Sequence, residues 1–263
     1  MLRGAGVVLC LVCAAACGTP RVVLPTGGGT PFPESTSAYN EATAECRAIK
    51  TMSASLALSG RAGSTKLSAR IDAGFAGPDR LRLEGFPRVA FGGKPFFVLV
   101  ARDGNATLVL TRDASVLRGA PPAAIVEALA GIALDPAELR AVVSGCGLGP
   151  APPGEGRAFP NGWAAVESGD TTVFLRQIDG RWRVAAARRA PLTVEYADFV
   201  SGRPSTVSLR TAAAQGAVTA DIRLRLSQVE IDVPLVEAAF EADVPAAAAP
   251  ITLEELRKAG PLG

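Results

Sequence analysis

The stretch KLSARIDAGFAGPDRLRLEGF, Lys66 to Phe86, decides the fold. Leu67, Ala69, Ile71, Ala73 and Phe75 alternate with Ser68, Arg70, Asp72 and Gly74; after Gly77, Pro78 and Asp79 the alternation resumes with Leu81 and Leu83 between Arg80, Arg82 and Glu84. Successive side chains of a strand point to opposite faces, so a period of two with one greasy and one charged set predicts antiparallel strands buried on one face. A helix would repeat every three or four residues and scatter these leucines around its surface.

The same period extends both ways. Leu56 and Leu58 alternate with Ser and Ala upstream, and FFVLVARDGNATLVLTRD, Phe96 to Asp113, is a hairpin turning at Asp103, Gly104 and Asn105. An Asp and an Asn in that turn could suggest calcium, but the turn itself accounts for both. Farther on, VESGDTTVFLRQIDGRWRVAAARR turns at Ser168 to Asp170 and at Asp179 to Gly180, with Val173, Leu175, Trp182 and Val184 as its pattern residues. Leu192, Val194 and Tyr196, then Val207 and Leu209, continue the series. In DIRLRLSQVEIDVP, Asp221 to Pro234, the apolar set is even at Ile222, Leu224 and Leu226, then odd at Val229, Ile231 and Val233. Such a parity switch marks a bulge where a long strand bends with a curved sheet.

Helical spacing interrupts the strands. SAYNEATAECRAIK, Ser37 to Lys50, places Tyr39, Thr43 and Cys46 on one face. APPAAIVEALAGIALDPAELRAVVSGCG carries Ile125, Val126, Leu129 and Ile132 on one helix. A second helix starts at Asp135 as cap and Pro136 at the first helical position, with Glu138 completing a capping box, and aligns Leu139, Val142 and Val143. Thr252 and Glu255, with Gly260 and Pro261 behind them, bracket a short C-terminal helix. GLGPAPPGEGRAFPNG, Gly147 to Gly162, reads as a Pro/Gly loop.

About ten or eleven antiparallel strands interrupted once by a helix pair predict a mainly β fold: a strongly curved antiparallel sheet, a half-open β-barrel, with helices plugging the concave face. A two-sheet sandwich is the runner-up, and it offers no place between its strands for two apolar-striped helices.

Arg3, an apolar run of about 12 residues from Ala5 to Ala16, and then Cys17 have the layout of an export signal. A membrane-spanning helix would need roughly 20 apolar residues. Ala14 to Ala16 before Cys17 and Gly18 resemble a bacterial lipobox, which implies acylation of Cys17; a soluble protein cut at an A-x-A site is the alternative. The expected organisation is a lipoprotein signal peptide over 1–16, a lipidated Pro/Gly-rich tether over 17–36 and a single domain over 37–263. Two or three acyl chains would hold the protein on its membrane, at about 0.8 kcal/mol per buried CH₂.

Of five cysteines, Cys10 and Cys13 leave with the signal and Cys17 is acylated. Cys46 and Cys146 remain, and in an oxidising compartment they are expected to pair. The 27 basic and 25 acidic side chains nearly balance, which argues against nucleic acid or anionic lipid headgroups as the main partner. The chain has no histidine, so His-based triads and the common zinc sites are excluded. Gly145, Gly147 and Gly149 follow a helix rather than a strand and lack the geometry of a phosphate-cradling loop. A pair of acids meeting in space to form a glycosidase-like site stays open, but the expectation is a non-enzyme with no cofactor and no metal.

The order of elements from Arg80 to Gly149 resembles that of the outer-membrane lipoprotein receptor family LolB and the wider LolA/LolB-like fold group. The matching parts are a strand ending in a loop, a strand pair, then a helix and an L-x-G-x-x-L segment, here Leu129, Gly131, Leu134 and Leu139, before a closing helix. The resemblance covers roughly residues 39–234. It implies a half-open barrel with a helical lid over an apolar cavity that accepts acyl chains of lipoproteins or lipids. It also implies location at the outer membrane facing the periplasm, dealings with a periplasmic carrier protein, and action as a monomer. The family's protruding apolar loop matches Gly85 to Pro95, making Phe86, Val89 and Phe91 the membrane or cargo loop, though FPRVAFGGKP is longer than the family's turn. Expected cavity-lining residues are Leu67, Ile71, Leu81, Leu83, Leu108, Leu110, Trp182, Val194, Tyr196 and Leu224, and expected lid residues are Ile125, Leu129, Leu139 and Val142. Two alternatives stand beside this reading: the helices fill the concavity permanently, or the chain is a non-catalytic envelope lipoprotein that docks a protein or serves as a structural module.

Overall fold

The computed structural model describes residues 22–88, 93–149, 151–214 and 216–261. The first part of the chain holds β1 (Thr30–Pro31), α1 (Ser35–Ala48), β2 (Thr51–Ala62), β3 (Thr65–Ala76), β4 (Arg80–Pro87), β5 (Phe97–Arg102), β6 (Asn105–Leu110) and β7 (Ser115–Ala120). Two helices follow, α2 (Pro122–Ala130) and α3 (Pro136–Ser144). The remainder is β8 (Pro153–Phe159), β9 (Trp163–Ser168), β10 (Thr171–Ile178), β11 (Arg181–Arg189), β12 (Leu192–Val200), β13 (Arg203–Ala212), β14 (Val218–Ile231), β15 (Ala249–Pro250) and α4 (Leu253–Ala259).

All fifteen strands form one unclosed sheet in the order β1-β8-β9-β10-β11-β12-β13-β14-β2-β3-β4-β5-β6-β7-β15. Every pairing is antiparallel except β15 with β7. This is the expected mainly β, curved, half-open barrel, and the sandwich is set aside. The alternation in the opening stretch holds: Leu67, Ala69, Ile71, Ala73 and Phe75 are buried while Lys66, Ser68 and Arg70 are not. Asp103 and Gly104 both take positive φ, as do Asp179 and Gly180, giving the two-residue turns whose twist matches antiparallel strands.

Four strands exceed the count expected from sequence, and each has a local cause. β1 and β15 are two residues long, below any periodic signal. β7 is short and carries Gly119 at positive φ. β8 lies inside the stretch expected to be a Pro/Gly loop; it sits next to the sheet's end, where Pro153 as first residue and two glycines are tolerated.

The segment expected to be a free tether over 17–36 is in part docked. Leu24 packs against the buried cluster of Ala165, Phe174 and Ala186, Phe32 meets Trp182 ring to ring at 5.7 Å, and α1 starts at Ser35 rather than Ser37. The signal peptide and Cys17 lie outside the described residues.

After β14 the chain crosses the outer face of the barrel. Phe240 is buried there against Ala76 and Val100, and Arg82 Nη1 donates to the carbonyls of Ala239 and Glu241, each at 3.0 Å. The chain then adds β15 to the edge strand β7 and lays α4 on α2, with Leu256 buried. An edge strand left bare would present unpaired backbone groups to other chains, so this C-terminal segment closes a liability of the open sheet.

Candidate functional site

The inner face of the central strands and the helix pair enclose a cavity of about 90 Å³. Leu56 and Leu58 of β2, Ile71 and Phe75 of β3, Leu83 of β4, Phe97 of β5, Leu209 of β13 and Ile222 and Leu224 of β14 form its floor. Val126, Leu129 and Ala130 of α2, Ile132 and Leu134 of the connection, and Leu139 and Val143 of α3 form its roof. Every lining side chain is apolar. Water in such a space would find no hydrogen-bond partners, whereas hydrocarbon would lose nothing.

Local sequence explains why the roof sits where it does. Pro122 and Pro136 stand at the starts of α2 and α3, and Asp135 accepts from Glu138 N at 2.8 Å while Glu138 Oε2 accepts from Asp135 N at 3.0 Å. Gly131 ends α2 in the left-handed conformation, and an added Cβ there would lie 2.9 Å from Ala62 Cβ. The helix end therefore touches the floor through a position only glycine suits. Gly85 plays the corresponding part on the floor: a Cβ at this position would fall 2.2 Å from the ring of Phe97.

Cys46 and Cys146 are bonded, with Cα atoms 5.7 Å apart, and tie α1 to the end of α3. A bridge closing 100 residues stabilises by about 4.7 kcal/mol in the chain-entropy account, 2–4 being typical. Arg140 Nη1 donates to Ile49 O at 2.9 Å and Glu138 pairs with Arg189, so α3 is held at several points. Tyr196 accepts from Gly147 N at 3.1 Å, holding the turn after α3; burial pushes its phenol pKa well up, so it stays a neutral hydroxyl.

Of the residues expected to line the cavity, Ile71, Leu83 and Leu224 do so. Leu67, Leu81, Leu108 and Val194 are buried in the surrounding core, and Leu110 is half-buried against it. Trp182 packs against Phe32, and Tyr196 carries the hydrogen bond just described. On the helices Leu129 and Leu139 face the cavity, while Ile125 and Val142 are fully buried beside it. Phe86 is in β4 rather than at a loop tip: it is buried, with the Arg70 guanidinium 4.3 Å above its ring. Val89 and Phe91 lie outside the described residues. Leu56, Leu58, Phe75, Phe97, Leu209 and Ile222 of the floor and Val126, Ala130, Ile132, Leu134 and Val143 of the roof also line it and were not among the residues expected to, although most sit in apolar pattern positions and Leu134 falls in the L-x-G-x-x-L segment.

A larger hollow of about 620 Å³ lies on the outer face, between Ser59, Arg61, Lys66, Thr206, Ser208 and Arg210 among others. Its walls mix charged and polar groups with apolar surface and offer water partners, so the wholly apolar inner cavity is the better candidate site.

No family model matches the chain, and no curated protein sequence matches it. Solved structures do. A LolA superfamily protein from Nitrosomonas europaea superposes with TM-score 0.52 at 12% identity, over 79% of this chain and 97% of that one. A DUF1329 family protein from Desulfovibrio piger superposes with TM-score 0.48 at 11% identity, over 80% and 98%. The first likeness places this chain among LolA-like folds, and the narrower resemblance to LolB is not resolved by it.

Proposed function

We propose that this chain is a lipid-anchored protein of the bacterial envelope, facing the periplasm, that takes acyl chains of lipoproteins or lipids into the cavity between half-barrel and helices. In this reading it accepts or inserts lipoproteins at the outer membrane. The observation that carries it is the wholly apolar cavity on the concave face of a LolA-like fold, roofed by two helices. The lipobox-like Ala14 to Cys17 and the disulfide support an exported, anchored protein.

The energetics require the roof to yield. A cavity of about 90 Å³ is far below the ~300 Å³ at which ligand pockets begin. Burying about ten methylenes contributes roughly 8 kcal/mol, equivalent to micromolar binding, against which the displaced helix contacts must be set.

The small volume also favours a second reading, in which the helices fill the concavity for good and the module docks a protein. Extraction of the purified protein for co-bound lipid, followed by titration with a fluorescent fatty acid, separates the two. Recovered lipid or saturable micromolar binding is expected. A protein that is empty and binds neither fatty acid nor an acylated lipoprotein is a docking module.

A further inference from the structure

A second, mostly apolar concavity of about 250 Å³ reaches the surface beside the inner cavity. Ile49, Met52, Leu226, Val229 and Ile231 line it together with Val200 at the tip of the β12–β13 hairpin, and Val143 of α3 lines both spaces. The two spaces therefore meet at this side chain.

The floor is continuous beneath it. In the β2–β14 ladder Leu58 faces Leu224, Leu56 faces Leu226 and Met52 faces Ile231. The first pair lines the cavity; the last lines the groove. Leu56 lines the cavity while its cross-strand partner Leu226 lines the groove, so that rung belongs to both. From Leu58 to Met52 the track runs about 20 Å at ~3.4 Å per residue, against about 15 Å for the acyl chain of one leaflet. The bulge in β14 makes this track. The register shifts between Ser227 and Glu230, with Gln228 at φ 51°, and this turns Val229 and Ile231 toward the groove after Leu224 and Leu226. Without the extra residue, the pleat would send both outward.

The rim has a sign. Arg203 is exposed beside Ser201 and Ser205, and no carboxylate among the described residues lies within ion-pair distance of it. Asp232 accepts from Lys50 N at 2.8 Å and Thr51 N at 3.3 Å and feels the charges of both Lys50 and Arg203, so one acid stands against two cations here. Val200 at 64% and Val229 at 38% exposure are large apolar side chains left facing water at the same place. A hydrocarbon path with a cation at its outer end matches an amphiphile with one acyl chain and an anionic head.

Building on the hydrocarbon-sheltering function above, we propose that this groove is the mouth of the cavity: an acyl chain with an anionic head threads tail first past Val143 along the β2–β14 floor, leaving its head at Arg203. The test uses the full chain in phosphatidylcholine nanodiscs with two photoreactive fatty acids, one carrying its diazirine at the chain end and one near the carboxylate. The tail probe should label peptides around Leu58 and Leu224, and the head probe those around Val200 and Val229. Val229→Asp, at an exposed site, should cut tail labelling about tenfold by placing a charge on the path. Arg203→Glu should cut labelling by the acid about fivefold and leave that by the matching fatty alcohol unchanged. Labelling of cavity peptides that is indifferent to both substitutions, or that spares the groove, overturns the mouth while leaving the cavity's function intact. Absence of cavity labelling by either probe overturns both.

Discussion

The two helices that roof the cavity are the same length and are built alike at their ends, yet they are held in different ways. Each has nine residues, begins with proline and stops on a left-handed glycine. α3 is amphipathic, capped by Asp135, tied to α1 through Cys46–Cys146, and joined to the sheet by Glu138–Arg189. α2 has no side-chain cap, carries a single charged residue, Glu127, and is held from outside by α4 through Leu256 and the Arg257–Glu127 pair at 3.3 Å. An apolar helix with no covalent or charged tie to the sheet can slide on an apolar floor at small penalty, whereas a cross-linked one cannot. On the proposed function, a cavity widening for an acyl chain would have a fixed side at α3, where the proposed mouth lies, and a yielding side at α2.

The comparison can be broken at α3 first. Replacing Cys46 and Cys146 with alanine is expected to lower unfolding stability by about 2–4 kcal/mol in urea titrations and to quicken amide exchange in α3 until it matches α2. Unchanged exchange in α3 would mean that its polar contacts alone hold it. The comparison is sharpened at α2: Leu256→Ala should cost about 2 kcal/mol, the low end for a buried leucine because a terminal helix can detach, and should speed exchange in α2 while sparing α3. Equal changes in both helices would show that the roof moves as one body.

The smallest effect is acid loosening of α4. Thr252 donates to Glu255 Oε2 through its backbone N–H at 2.7 Å and its hydroxyl at 2.8 Å, which holds the Glu255 carboxyl below the ordinary glutamate range. A depressed carboxyl contributes stability that is complete above the unfolded value, roughly 4.3, and is lost as the pH falls through the lowered one. Amide exchange in α4 should therefore rise slightly between about pH 5 and pH 2, and Glu255→Gln should flatten the response.

The floor of the site was far more legible than its walls. Period-two patterning marks which face of a strand is buried, so Ile71, Leu83 and Leu224 could be read as inward, and the even-to-odd switch in DIRLRLSQVEIDVP foretold the bulge that here shapes a mouth. The same pattern cannot tell a cavity wall from ordinary core: Leu81 and Val194 carry the same signal as Leu83 and are solidly packed. Phe86 illustrates another limit. It precedes an apolar loop in sequence, but β4 continues through it and Arg70 from the neighbouring strand covers its ring. β8 was hidden by its prolines and glycines, because pairing with β9 and β1 supplies what its own composition lacks.

By itself the sequence determined the elements and their faces: alternating strands, two striped helices, capping boxes at Asp135 and Thr252, and the two cysteines left to pair. These are local properties, set by backbone geometry and by which side of each element water must leave. Tertiary structure alone decided which buried residues surround empty space, that Val143 lines both the inner cavity and the surface groove, and that the segment after β14 crosses the barrel to hold α2. Those features depend on how curvature, a single extra residue in β14 and a returning chain bring distant faces together, and no periodicity within one element records the distance between two.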